Sequence, residues 1–202
     1  MGQRAPHWIF LVALALALAA RQAEAQQGIR SGLWIEGAIG TGTIRHGCGG
    51  CDDVTSTYGG TDYLRAGVSL APRVLLGLEL FSLSASDVAL GPGSSPVDAE
   101  NRSIAPIVIW YVGRSGFFLR GGAGLAHGTF TVPAVPATVT TRRTGSALIF
   151  GVGFDVPVAG WAALTASLGT NVMAIGDVSV NGTVVDDIIA TVYEASVGIA
   201  LR

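Results

Sequence analysis

The chain has 202 residues, with 12 basic and 14 acidic side chains, half of it hydrophobic and only 13% charged, about half the charge of an ordinary soluble domain. So little charge argues against a soluble two-domain enzyme and offers no basic surface for nucleic acid, while the hydrophobic content excludes disorder. Yet 29 glycines and 8 prolines interrupt the apolar residues so often that no stretch is long enough for a transmembrane helix, and a helical membrane bundle is excluded.

The N-terminus has the order of an export signal. Arg4 precedes the apolar stretch Trp8 to Ala20, and Ala23-Glu24-Ala25 puts small residues at both positions that a signal peptidase reads. The apolar stretch is too short to cross a core of about 30 Å as a helix. Residues 1–25 are therefore expected to be a cleavable signal peptide, and residues 26–202 one barrel domain.

From Gln26 onward the recurring pattern has period two, that of strands. In 33–44, Leu33, Ile35 and Ile39 oppose Trp34, Glu36, Ala38, Gly40 and Gly42. In 61–71, Leu64, Ala66, Val68 and Leu70 oppose Tyr63, Arg65, Gly67 and Ser69. A third run sets Val74, Leu76, Leu78 and Leu80 against Leu75, Gly77, Glu79 and Phe81. The fourth, 102–112, has its parity blurred at Pro106. The fifth, 117–128, alternates Phe117, Leu119, Ala123 and Leu125 with Phe118, Arg120, Gly122 and Gly124. In 144–156, Leu148, Phe150, Val152 and Phe154 oppose Ile149, Gly151, Gly153 and Asp155. In 161–174, Leu164, Ala166 and Leu168 oppose Thr165, Ser167, Gly169 and Asn171. The last, 189–202, sets Tyr193, Val197, Ile199 and Leu201 against Glu194, Ser196, Gly198 and Ala200.

Eight such runs suit an eight-stranded antiparallel up-and-down transmembrane β-barrel. A soluble barrel buries its bulky apolar residues and charges its outer face. Here the bulky aliphatics share one face, and Glu36, Arg65, Glu79, Arg120, Asp155 and Glu194 share the small-residue face. Turned inward, that face makes a polar interior within a lipid-facing wall. In this interior Arg65 is expected between Glu36 and Glu79, Arg120 opposite Asp155, and Glu36 and Glu194 in competition for one arginine or sharing a proton.

The connections alternate in length, as such a barrel requires. Pro72-Arg73, Gly113 to Gly116 and Pro157 to Gly160 are short, whereas 45–60, 87–101, 129–143 and 175–188 are expected to be long external loops. Trp34, Trp110, Tyr111, Phe117, Phe154 and Trp161 cluster at the strand ends beside the short turns, the place of an aromatic girdle.

The segments Phe118-Leu119-Arg120-Gly121-Gly122-Ala123-Gly124-Leu125-Ala126-His127 and Gly151-Val152-Gly153-Phe154-Asp155-Val156 make the mature chain similar to the small eight-stranded outer-membrane barrels of the OmpX and OmpA-transmembrane-domain type. The resemblance implies the outer membrane of a Gram-negative-type bacterium. The family usually ends in an aromatic residue, whereas this chain ends Ala200-Leu201-Arg202.

Cys48 and Cys51, separated by two glycines in an exported loop, are most simply a local disulfide; a redox dithiol or a metal site with His46 and Asp52 are the other readings. The loop acids Asp52, Asp53, Asp87, Asp98, Glu100, Asp177, Asp186 and Asp187 follow no spaced cation-binding motif. The expected role is structural or interactive at the cell surface, by a monomer without catalysis or cofactor. Its partners would be outer-membrane lipid and an extracellular ligand held by the loops. One alternative is a narrow channel, kept open by space beside the interior glycines. The other is a lipid-modifying enzyme built on His127 and Thr129 at the outer rim.

Overall fold

In the computed structural model, the residues described are 32–47, 55–88, 97–132, 139–180 and 183–202. Residues 1–25, expected to be a signal peptide, and the Cys48/Cys51 pair lie outside them. Eight strands, β1 (Leu33–Gly47), β2 (Thr55–Ala71), β3 (Val74–Val88), β4 (Val97–Tyr111), β5 (Phe117–Val132), β6 (Val139–Ala159), β7 (Ala162–Val180) and β8 (Thr183–Leu201), form a closed barrel in which each pairs antiparallel with its sequence neighbours and β1 with β8.

The register fixes the tilt. Pairs followed once around, from Gly37 through Leu64, Leu80, Ile104, Leu125, Ser146, Ala174 and Ile189, return to β1 at Gly47, ten residues above the start. Eight strands with that stagger tilt by roughly 40° and enclose a space that side chains fill.

At the short-turn end, Pro72-Arg73 joins β2 to β3. Between β4 and β5, Gly113 (φ 68°) and Gly116 (φ 84°) adopt the left-handed backbone that a side chain disfavours. The turn expected over Pro157 to Gly160 is displaced: β6 continues to Ala159 and Pro157 pairs with Ala163, so Gly160 and Trp161 make the turn.

At the other end the strands run far into the segments expected to be long loops. The strands end at Gly47, Val88, Val132 and Val180 and the next begin at Thr55, Val97, Val139 and Thr183; the residues in between lie outside the described ones. The composition that suggests loop, rich in Gly, Ser, Thr and Asp, belongs here to strands whose polarity has inverted. Phe130, Val132, Val97, Ala99, Ile175 and Ile188 are buried inside, while Asp98, Arg142, Thr144, Asp177 and Asp187 are exposed. Lower down the faces are the reverse, with Leu64, Leu78, Leu80, Leu125, Leu148 and Leu168 exposed. The wall is thus built for hydrocarbon below and for water above.

β4 explains its own blurred parity. Ala105, Ile107 and Ile109 are buried inward while Ile104, Val108 and Trp110 are exposed, so aliphatics occupy both faces. The inner ones pack with Leu75, Phe118 and Ile149 in one apolar cluster, which extends from the short-turn end up to Ala105 opposite Glu79. A larger apolar layer, including Leu83, Phe130, Met173 and Val192, fills the upper half.

Candidate functional site

Packed against the two apolar clusters is a group of charges drawn from β1, β2, β3, β5 and β8. Arg65 donates from Nη1 to Glu36 Oε1 at 2.8 Å and from Nε to Glu79 Oε2 at 2.5 Å. Arg120 donates from Nη1 to the same Glu79 oxygen and from Nη2 to Glu194 Oε1, both at 2.7 Å. All five are nearly inaccessible to solvent. Strand parity brings them inside, since each is flanked by outward apolar residues. The aromatic ring of Tyr63, two positions from Arg65 on β2, completes the layer. Its hydroxyl donates to Glu36 Oε1 at 2.6 Å, and the Arg65 guanidinium lies 3.5 Å from its ring centroid. Ser167 and Ser196 bond each other at 2.8 Å beside it.

Two of the expected pairings are not formed. Arg120 pairs in register with Gly151, so Asp155, two inward positions lower on β6, is out of its reach. Asp155 instead accepts from Tyr111 at 2.6 Å, from Thr165 at 2.7 Å and from the Arg202 guanidinium. Glu36 and Glu194 do not share an arginine either. The stagger places Glu194 opposite Gly42, and Glu36 opposite Ala200, so the two acids sit at different heights and take different arginines. Sequence reading missed Arg202, whose side chain depends on the three-dimensional closure of β8 on β7 and β1; parity would have found Tyr63.

The aromatics divide by face. Trp110 (50% exposed), Phe117 and Trp161 (63%) are open to the surroundings and Phe154 is half-buried, all near the short-turn end. Trp34 (4%) and Tyr111 (3%) point inward and do not belong to a girdle. They have the depth of one and the parity of the core. Trp34 lies over Gly77, where a Cβ would come within 2.7 Å of its ring, and Tyr111 is drawn in by the Asp155 carboxylate.

The interior glycines are cavities for neighbours rather than open space. A Cβ at Gly151 would lie 3.0 Å from the Arg120 guanidinium, and one at Gly153 would collide with the Phe118 ring. Small residues on the inner face are what allow a narrow barrel to hold arginines and aromatics.

On the outer wall, the apolar row Leu64, Leu80, Ile104 and Leu125 is followed, one inter-strand row toward the loop end, by Asp62, Ser82, Arg102, His127 and Thr144. His127 Nδ1 lies 3.1 Å from Thr144 Oγ1, so its hydroxyl partner is across the ladder and not Thr129. Arg102 holds Glu100 through Nε (2.9 Å) and Nη2 (2.5 Å).

The closed eight-strand topology and the inverted faces have counterparts among solved structures. The Neisserial surface protein A structure superposes with a TM-score of 0.56 at 17% identity, over 85% of this chain and 97% of that one. This chain has the fold of the small eight-stranded outer-membrane barrels. Ail, the attachment invasion locus protein of Yersinia pestis, matches at 0.51 and 14% identity in its complex with the heparin analogue sucrose octasulfate, over 83% of this chain and 98% of that one. No family model and no curated protein sequence matches the chain.

Proposed function

We propose that the protein is an integral outer-membrane barrel whose interior is a plug and whose role is structural or interactive at the cell surface. The observation that carries this reading is the filled interior of the barrel. The cross-linked charges Glu36, Arg65, Glu79, Arg120 and Glu194 are buried together with two apolar clusters that fill the rest of the interior. A solute would have to break several buried ion pairs to pass, each disruption costing about 3 to 5 kcal/mol. Catalysis is a weaker reading, because His127 bonds Thr144 and, among the described residues, no acid is recorded bonding to His127. The monomer is favoured because the barrel closes on itself and leaves no strand edge to pair.

Fractionation of the cell envelope should place the mature protein in the outer membrane. Planar-bilayer recording of the purified barrel across a range of voltages should show no unitary conductance steps. Reproducible steps abolished by widening or charge-reversing substitutions in the Arg65 layer would replace the plug with a channel.

A further inference from the structure

A groove of about 750 Å³ crosses the outer wall over β2 to β6 at the transition from apolar to polar rows. Its lower part is Leu64, Leu80, Ile104 and Leu125, the top of the hydrocarbon-facing wall. Its upper part is lined by Asp62, Ser82, Ser84, Glu100, Arg102 and His127. A ligand that matches both halves must carry acyl chains next to a strongly polar headgroup, which is the make-up of a membrane lipid.

The polar half has two chemistries side by side. Arg102 and His127 pair directly across β4 and β5. Arg102 uses Nε and Nη2 on Glu100, which leaves Nη1 to donate, and His127 uses Nδ1 on Thr144, which leaves Nε2. Two such donors suit one phosphate. On the β2–β4 side, Asp62, Glu100 and the hydroxyls of Ser82 and Ser84 supply acceptors, which suit the hydroxyls of a sugar. Five adjacent strands span about 19 Å at about 4.8 Å per interval, which is wider than a single phosphodiester headgroup.

We propose that this groove binds a phosphorylated glycolipid of the outer leaflet, with the phosphate on Arg102 and His127, the sugar hydroxyls on the acidic side, and acyl chains over Leu80, Ile104 and Leu125. The site rests on the outer-membrane reading above, and it goes beyond it by naming one lipid class and one face of the barrel.

The test is native mass spectrometry of the refolded full-length mature barrel, titrated with diphosphoryl lipid A, dephosphorylated lipid A, phosphatidylglycerol or phosphatidylethanolamine. Wild type should retain diphosphoryl lipid A preferentially. Arg102→Ala combined with His127→Ala should weaken retention about ten-fold or more, the scale of losing charge-assisted hydrogen bonds. Arg45→Ala, an exposed arginine on β1, should leave it unchanged. Asp62→Asn should weaken lipid A and leave phosphatidylglycerol unaffected. Equal retention by the double variant and wild type, or equal binding of phosphatidylglycerol, would overturn the proposal. Heat-modifiable migration on gels establishes that each variant is folded. Outer-membrane fractionation is read separately, so that a mislocalised protein counts against the reading of location and a correctly located one without lipid preference counts against the groove.

Discussion

Arg120 on β5 reaches Glu194 on β8 because Gly169 of β7, between them, has no side chain: a Cβ there would lie 2.5 Å from the guanidinium Nη2 and 2.6 Å from the carboxylate Oε1. The ion pair and the glycine are one design element. Gly169→Ala should therefore force the pair apart, with a loss of about 1 to 3 kcal/mol from overpacking. Gly37→Ala, on the outer face with nothing within 4 Å of its Cβ, is the matched comparison. Urea titration of the barrel refolded in lipid should show a lowered midpoint for Gly169→Ala and little change for Gly37→Ala. Equal midpoints would mean that Arg120 and Glu194 are not held over β7.

Arg65 holds two glutamates, Glu36 and Glu79, in a layer closed to water. Its removal leaves one acid without its arginine and the other dependent on Arg120 alone. Arg65→Ala should destabilise the folded barrel by about 3 to 5 kcal/mol. Arg73→Ala, in the exposed turn between β2 and β3, should fall within the small range of surface changes. Kinetics of unfolding in urea followed by tryptophan fluorescence would separate the two. A silent Arg65→Ala would remove the charge layer as a source of stability.

Parity made much of this legible. A single rule, small and charged residues opposite bulky aliphatics, identified the inward faces of β1 to β3 and β5 to β8. It also put Arg65 beside Glu36 and Glu79, because those three are nearest pairs in register. It did not reveal which charges meet across the lumen. That depends on the ten-residue stagger, which moves Glu194 away from Glu36, while Asp155 is kept from Arg120 by the register of the β5–β6 hairpin, where Arg120 faces Gly151. The girdle was assigned by position along the chain, and Trp34 and Tyr111 show that depth without parity is insufficient. The long loops were misjudged for a related reason: above the membrane the polarity of the two faces exchanges, so the rule that located the strands stops applying just where they continue.

Asp155 ties β4, β7 and the end of the chain together through Tyr111, Thr165 and Arg202. Asp155→Ala removes the common acceptor and leaves a partly buried arginine without its counter-ion, so it should destabilise more than Arg202→Ala. In the double variant the costs should not add, because the second substitution removes the charge that the first left uncompensated. A double-mutant cycle on urea midpoints measures this. Strict additivity would mean that the Arg202 contact with Asp155 contributes nothing to the folded barrel.

The depth of the hydrocarbon is read from the rows of the outer wall. Leu78 and Ser84 are both outward on β3, six residues apart, on either side of the row Leu80, Ile104 and Leu125. Leu78 belongs to the apolar wall, where an arginine must be dehydrated or must deform the bilayer, at a cost of about 2 to 4 kcal/mol near the midplane. Ser84 lies with Glu100 beyond the boundary, where an arginine keeps its water and the cost falls to about 0 to 1 kcal/mol. Leu78→Arg should lower the stability of the lipid-refolded barrel sharply, and Ser84→Arg hardly at all. In detergent micelles, which deform around a charge more readily than a bilayer, the difference should narrow. Were Ser84→Arg to cost as much as Leu78→Arg in lipid, the boundary would lie higher than the polar row. The groove that holds Arg102 and His127 would then sit in hydrocarbon, and its headgroup chemistry would have no partner at that depth.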